Sequence, residues 1–467
     1  MIWITINKKS DMSIIQQMYS QIRDMILSGK LKEENKLPST RALAQELNVS
    51  RNVVIEAYDQ LMSEGYIQSH EGSGTYITEG LQIDTIKESP STPKQTLSKN
   101  QEPSIKINFR SGIPALDCFP HNKWGQIYKS ICAEIEPSDL GYSETMGHLK
   151  LRKTLVDYLQ QMRNVKCNEN QVIITNGAVQ ALGIIAQVLL KEEDCFISED
   201  PTNIEIRKSF ERRGARGISI SVDEQGLNTG LLPQELHPKL ILVTPSHQFP
   251  LGGVMPIARR LELIQYAKQK NCYIVEDDYD SEYRYEGYPI PSIQGLAPEN
   301  VIYVGTFSKI LSPALRIGYL ILPEKLVDNC RKEKYISDLH TETLTQLALE
   351  RFIEEGQLLK HIRKMKKVYK RRQNQLIHEL KINFPDIKIM GESTGMHLVA
   401  QWKDIIFTKE HLDKLKSKGL NIHCVREYAV RRDEHLNQLI FGYGNVDEKM
   451  ITEGIRILKK VMQSKNH

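Results

Sequence analysis

Apolar residues fall at helical spacing in the first eighty residues, whereas beyond residue 105 short apolar runs alternate with helical stretches. From Ile14 to Ser28, apolar or aromatic residues occupy positions 14, 15, 18, 22, 25 and 26, and Gly29 follows where a helix would end. The segment LPSTRALAQELNVS predicts a second helix over about Thr40–Asn48, and Ser50 is a good N-cap for a third over about Arg51–Met62. In that third helix Val53, Ala57 and Leu61, spaced by four, are expected to form one buried stripe. Arg51 and Asn52 are then free in the first turn, where a helix-turn-helix presents side chains to bases. GYIQSHEGSGTYI alternates as a hairpin with Gly72, Ser73 and Gly74 at its tip. Three helices and a wing predict an α+β winged helix-turn-helix over residues 1–80.

Leu81 to Pro103 holds Pro90, Pro93 and Pro103 among Ser, Thr, Lys and Gln, with little periodicity, so residues 81–104 are expected to be a flexible linker. Residues 105–467 read as a doubly wound α/β domain followed by a smaller α/β C-terminal domain. A long helix over about Gln357–Leu380 enters that smaller domain, with Leu358, Leu359, Ile362, Met365 and Tyr369 on one face. Lys364, Lys366, Lys367, Lys370, Arg371 and Arg372 crowd the rest, as a solvated face or as a surface lying along DNA. STGMHLVAQW and LNQLIFGYG are strand-like, and Arg426, Arg431 and Arg432 precede the last strand.

A chain of 467 residues is too long for one ordinary core, and its net charge of +4 neither demands nor excludes nucleic acid. Residues 1–80 carry eight Lys and Arg against ten Asp and Glu, a net of −2, so composition alone leaves DNA contact and protein contact both open. Seven scattered cysteines without a CxxC pair read as reduced, mostly buried thiols. Thirteen histidines show no HxH or HExxH spacing, so no metal site is expected, and His247 is placed near the candidate site. No signal-peptide pattern or membrane-length apolar run is present, and a cytoplasmic protein is expected.

The candidate chemistry sits at strand ends. Val301–Val304 is expected to break at Gly305 into a polar turn that ends in Lys309, with Arg316 seven residues on. An amine just past a strand end, near a guanidinium and the hydroxyls of Thr306 and Ser308, suits an aldehyde cofactor bearing a phosphate, such as pyridoxal 5'-phosphate. Lys309 is the catalytic candidate that would form the Schiff base, while Arg316 and Thr306 would hold the phosphate. Upstream, the apolar run Tyr273–Val275 leads into Asp277, Asp278 and Tyr279. Asp277 is the candidate partner for the pyridine nitrogen, and Tyr279 could hydrogen-bond the ring's phenolic oxygen. A surface lysine and a solvated acidic loop are the plain alternatives. QVIITNGAVQAL reads as strand, turn and helix start, where the amides of Gly177, Ala178 and Val179 could seat a phosphate.

GTFSKxxxPALRIGY, EDDYDSE and TPSHQFPLGG together resemble the aminotransferase-like domain of the MocR group of GntR-type regulators, whose best-known member is GabR. LPSTRxLAxxLxVSRxxVxxAYxxLxxEGY followed by GSGTY is similar to the GntR signature, and the similarity runs from about Ile14 to about Leu458. The resemblance implies a fold-type I domain that binds pyridoxal phosphate, and double-stranded operator DNA contacted by Arg41 and Arg51. Ser39, Thr40 and Asn52 would support those arginines, with the Gly72 to Gly74 tip approaching the minor groove. In related fold-type I enzymes the tyrosine matching Tyr142 reaches the cofactor phosphate of the other subunit, which implies a homodimer with shared sites. This chain departs from the enzymes at Phe249, where asparagine is common, and at Thr202 and Asn203. It has Glu205 where GabR carries one effector-carboxylate arginine, and the second falls near Arg426 or Glu427.

The leading expectation is therefore a regulator in which pyridoxal phosphate at Lys309 and a small effector, an amino compound or the cofactor itself, control operator binding. The rivals are a working aminotransferase with an accessory DNA-binding domain and a DNA-binding protein that ignores the cofactor.

Overall fold

Serine caps start all three helices near the N-terminus. Ser13 accepts from the amide of Gln16 at the head of α1 (Ile14–Leu27), Ser39 from Ala42 at α2 (Thr40–Glu46), and Ser50 from Val53 at α3 (Arg51–Ser63). Two short antiparallel strands follow, β1 (Ile67–His70) and β2 (Gly74–Ile77), with Ile67 opposite Ile77 and His70 opposite Gly74. Their core joins Met18, Ile22 and Ile26 to Leu43, Ala57, Leu61, Ile67 and Ile77. The stripe on α3 runs through Val54, Ala57, Tyr58 and Leu61, while Val53 is only half-buried. Two adjacent valines fit either side of a helical stripe, and the Tyr58 hydroxyl settles the rotation by donating to the Pro38 carbonyl at 3.0 Å.

The computed structural model describes residues 4–33, 35–70, 72–81, 105–285 and 290–463. The chain divides into two units, Met1–Asn100 and Gln101–His467, and residues 82–104 of the expected linker lie outside the described residues.

The second unit opens with β3 (Ile107–Asn108), α4 (His121–Glu134) and α5 (Leu149–Arg163), then enters an alternating run. That run comprises β4 (Val172–Thr175), α6 (Ala178–Leu189), β5 (Cys195–Asp200), α7 (Ile204–Glu211), β6 (Arg216–Asp223), β7 (Gly226–Leu227) and β8 (Leu240–Val243). It continues with α8 (Ile257–Lys270), β9 (Tyr273–Asp278), β10 (Val301–Thr306), β11 (Gly318–Ile321) and α9 (Glu324–Asp338). The eight strands form one sheet in the order β4-β11-β10-β9-β8-β5-β6-β7. Five of them, from β10 to β6, are parallel neighbours; β11 runs against both β10 and β4, and β7 against β6. Every residue of β4, β8 and β10 is buried, because helices cover both sheet faces and these strands carry continuous apolar runs.

The chain continues as α10 (Thr343–Glu354) and α11 (Gln357–Asn383), then β12 (Lys388–Met390), β13 (His397–Gln401), α12 (Lys409–Ser417), β14 (Leu420–Asn421), β15 (His423–Cys424), β16 (Gln438–Gly442) and α13 (Glu448–Gln463). A four-stranded sheet, β12-β13-β16-β15, forms the smaller lobe, and β14 pairs with β3.

Several local expectations are corrected here. β10 does not break at Gly305 but continues to Thr306, because β11 pairs with it there, Gly305 opposite Tyr319 and Thr306 opposite Gly318; the Tyr319 ring lies so close over the glycine that a Cβ would sit 2.2 Å from it. α11 extends to Asn383, and Arg372 is not on its outer face: it is buried, bonded to the Gly444 carbonyl and to Asp117. Lys370 lies over the Tyr285 ring at 5.3 Å, and Arg371 pairs with Glu448. Only Cys272, Cys330 and Cys424 are buried among the free cysteines, and Cys132 is exposed.

Candidate functional site

Parallel pairing of β9 with β10 brings together residues that are far apart in sequence. Val304 lies opposite Asp277 and Gly305 opposite Asp278, so the carboxyl ends of both strands deliver Asp277 and the Thr306–Lys309 turn to one edge of the sheet. Ligands of open α/β sheets bind beyond this edge. Neither acidic residue belongs to a solvated loop. Asp278 turns its Oδ2 toward Arg163 at 2.9 Å, and it also accepts from Ser281 and Tyr303. Asp277 has no hydrogen-bond partner on its carboxylate among the described residues, and its Oδ1 is fully shielded from solvent. Burial pushes its pKa up to about 7; Asp278 adds to the shift and Lys309 opposes it.

Lys309 is half-buried and donates from Nζ to the Gly112 carbonyl at 2.6 Å. Burial lowers its pKa below the usual lysine range and Arg110 adds to that, against the pull of Asp280 and Asp277. Thr306 spends its hydroxyl on the turn, accepting from the Ser308 amide at 3.2 Å and donating to Ile317 at 3.4 Å. Tyr279 donates to the His247 carbonyl at 2.8 Å and is stacked on the His247 ring. Phe249 packs edge-on against Tyr279, His397 and Tyr428, so an aromatic wall stands where a polar asparagine would otherwise reach a ring oxygen.

The opposite end of the site is a cradle of backbone. Gly177, at φ +92°, caps α6, and the first helical amides after it, including those of Ala178 and Val179, have no intrahelical acceptor. Arg316 folds over this turn and donates to the Asn176 carbonyl; a Cβ on Gly177 would stand 3.2 Å from its guanidinium. A Cβ on Gly318 would strike the same turn at 2.7 Å. The turn is held from behind by Asp338, whose Oδ2 accepts from Asn176 at 2.6 Å and Gln180 at 2.8 Å, while its Oδ1 pairs with the fully buried Lys334. Nothing in the spacing of Asp338, Lys334 and Asn176 signals this network.

Tyr142 lies apart from these groups, 89% exposed, with its ring edge toward His340. Glu205 is exposed and pairs with Lys208; Arg431 is bonded to Asp200 and Ser221, and Arg426 and Arg432 line a separate hollow with Glu427 and Asp433. None of these residues comes to Lys309. Three segments also bring His247, Asp280 and His397 together, with metal-ligand-type atoms within 4.8 Å of one another. Among these, Nδ1 of His247 already pairs with Asp280 and Nε2 of His397 with the Pro250 carbonyl. No short spacing announced this cluster.

In the first unit, Arg41 and Arg51 are exposed, and Arg51 Nε donates to Thr40 Oγ1 at 3.4 Å, tying the starts of α2 and α3 together. Asn52 is exposed beside it, and Ser39 caps α2. Gly72 and Gly74 have positive φ at the wing tip, where the Ser73 hydroxyl meets the Tyr76 hydroxyl at 2.7 Å. Lys36, not singled out from the sequence, lies over the Tyr76 ring at 5.8 Å and against Gly74. Arg41, Arg51 and Lys36 are thus exposed basic side chains in a domain whose total charge is negative.

A DNA-reading winged helix joined in one chain to an aminotransferase-like α/β domain is the class these two sites define. Residues 14–77 match the bacterial regulatory proteins of the gntR family, and residues 104–437 match aminotransferase class I and II. The chain is 33% identical to the probable rhizopine catabolism regulatory protein MocR of Rhizobium meliloti, over 98% of this chain and 95% of that one. It is 32% identical to the HTH-type pyridoxine biosynthesis transcriptional regulator PdxR of Corynebacterium glutamicum, over 95% of each. A solved Pyrococcus horikoshii kynurenine aminotransferase superposes with a TM-score of 0.72 at 29% identity, over 78% of this chain and 92% of that one. The chain belongs to the MocR subfamily of GntR-type transcription regulators. Its aminotransferase class I and II fold implies dependence on pyridoxal phosphate, and the orphaned Asp277 oxygen, the Lys309 amine and the Gly177–Arg316 cradle fit that group. No helix among the described residues is long and apolar enough to cross a membrane.

Proposed function

We propose that this regulator holds pyridoxal phosphate at Lys309 and that a small amino compound, or the cofactor itself, sets its affinity for operator DNA. The observation that carries the reading is the Asp277 carboxylate at a strand end beside Lys309, without a hydrogen-bond partner among the described residues and with its Oδ1 shielded from solvent. A shielded carboxylate with no donor is costly unless a cation completes it, and a protonated pyridine nitrogen is such a cation. When bound, the cofactor supplies an aldehyde carbon open to attack by a primary amine. Lys309, held toward its uncharged form by burial, presents that amine. Arg316, the amides of Gly177, Ala178 and Val179, and the uncommitted Ser308 hydroxyl would take the phosphate, with Thr306 shaping the turn. Tyr279 would keep an acceptor lone pair for the ring while its hydroxyl proton is donated to the His247 carbonyl.

Arg41 and Arg51 would contact the operator, supported by Ser39, Thr40 and Asn52, with the Gly72–Gly74 tip and Lys36 at the neighbouring groove. The effector shifts operator affinity only as far as it binds two conformations of the protein unequally. Tyr142, 89% exposed, would reach the phosphate of a second copy in a homodimer working in the cytoplasm. An absorbance spectrum of the purified protein, with and without borohydride, tests the reading. A reducible band is expected in the wild type and none in Lys309→Ala; a wild type without the band overturns it.

A further inference from the structure

Three buried side chains from separate segments meet with their charge unbalanced. His247 follows β8, Asp280 follows β9 and His397 opens β13, so the cluster joins the eight-stranded sheet to the smaller lobe. None of the three is more than 2% exposed, and one ligand-type atom of each lies within 4.8 Å of the others. Asp280 accepts from Nδ1 of His247 at 2.9 Å, and among the described residues no lysine or arginine pairs with it. Buried carboxylates are as a rule paired with a cation or bound to a metal.

Each ring has one nitrogen oriented and the other to spare. Nδ1 of His247 faces the Asp280 carboxylate, and Nε2 of His397 faces the Pro250 carbonyl at 3.0 Å. Those oxygens accept, so both of these nitrogens donate, and the lone pairs fall on Nε2 of His247 and Nδ1 of His397. Nε2 of His247 is shielded from solvent and has no hydrogen-bond partner among the described residues. Were that ring protonated instead, Nε2 would carry a buried N–H without an acceptor, so no placement of the proton satisfies it. An oxygen acceptor on one nitrogen and a free lone pair on the other is the arrangement found around metal-ligating histidines. The two rings lie 4.5 Å apart between centroids, and a Cβ on Gly252 would stand 3.3 Å from Nε2 of His247. With Gly391, Gly252 also lines a cavity of about 870 Å³, which gives an ion and water a way in.

We propose that His247 and His397 bind a divalent transition-metal ion, with Asp280 orienting His247 and supplying the counter-charge. Two neutral imidazoles and one carboxylate carry a net charge of −1, which a divalent cation offsets. Imidazole donors without a thiolate suit zinc, copper or nickel. Zinc takes such nitrogens at about 2.0–2.1 Å and fills its open positions with water. The ion ties β13 to the segments that follow β8 and β9, beside Tyr279, whose ring stacks on His247. The proposal stands apart from the cofactor reading, since none of its ligands is the amine, the arginine or the backbone cradle assigned there.

The test uses full-length protein purified with its cofactor and stripped of metal with a chelator. It is titrated with Zn2+ by calorimetry and with Co2+ by visible absorbance. One ion per chain is expected, with a tetrahedral Co2+ band and a melting temperature that rises with Zn2+. His247→Gln and His397→Gln should each abolish the band. Asp280→Asn, close in shape to the wild type, should weaken Zn2+ binding roughly 10- to 100-fold, and it carries the test if a histidine variant does not fold. Circular dichroism of the metal-free variants shows that the affinities are read on folded protein. The titration is repeated after hydroxylamine has removed the cofactor, and the same affinity is expected. Absence of the band in the wild type overturns the inference, as does binding that Asp280→Asn and the folded histidine variants leave unchanged. Binding that disappears with the cofactor places the ion on the cofactor and overturns it too.

Discussion

The two units carry function in opposite ways. The winged helix places Arg41, Arg51 and Lys36 on its outside, over a core built from other residues, so the side chains proposed to meet DNA are separate from those that hold the fold. The aminotransferase-like unit sets Asp277, Lys309 and the Asp338 network within or beside its core, where the burial that tunes them also costs stability. Substitutions in the first unit should change binding without changing folding; those in the second should change both.

The largest effect is expected at Asp338. Asp338→Asn leaves the fully buried Lys334 without its counter-charge, and breaking such a pair costs about 3 kcal/mol. It also loosens Asn176 beneath Arg316, so cofactor affinity should fall along with the melting temperature. Full stability with unchanged cofactor affinity would break the comparison.

Asp277→Asn should act in the other direction on the cofactor-free protein. A carboxyl raised to about 7 when folded, against about 4 when unfolded, keeps its proton longer in the folded state. Its cost to stability is absent below pH 4, grows as pH rises through 4 to 7, and is complete above 7. The asparagine variant should therefore gain on wild type across that window, by on the order of 2–3 kcal/mol at pH 8. Glu199 and Glu282 are also raised to about 7, so the difference between the two pH–stability curves, rather than either curve, isolates Asp277. With cofactor present the ranking should reverse, since the variant holds the pyridine nitrogen less well.

In the first unit, Arg51→Ala should lower operator affinity by about 1–3 kcal/mol while thermal stability moves by less than about 0.5 kcal/mol. Equal losses in both would mean that the two units are built alike. The smallest effect concerns the outer face of α11. With Arg372 in the core, Lys366→Gln with Lys367→Gln tests whether that face meets DNA, and a salt slope shallower by about 1–2 is expected if it does. An unchanged slope leaves α11 as a solvated helix.

What the sequence disclosed followed from the range of the interactions involved. α1, α2 and α3 were readable because period and capping serines are local, and the adjacent pair Val53–Val54 was ambiguous because both fit the period. Asp277 and Lys309 were readable because each ends an apolar run, and the fold places parallel strand ends side by side. Arg372 was misplaced because a basic residue in a basic stretch looks solvated, and its acceptor is the backbone of Gly444, 72 positions away. Asp338 and the His247–Asp280–His397 cluster stayed hidden for the same reason: Asn176 and Gln180 reach Asp338, and the three cluster residues reach one another, from distant segments that no spacing reveals.

The contact between Lys309 and Gly112 has a mechanical consequence. While the amine is free, its hydrogen bond fastens the entry segment of the second unit to the end of β10. Whatever takes up that nitrogen withdraws the fastening. Gly112 stands near the start of the described part of the second unit, so a change at that one nitrogen would be felt first by this entry segment. Lys309 would then serve as a latch as well as an anchor.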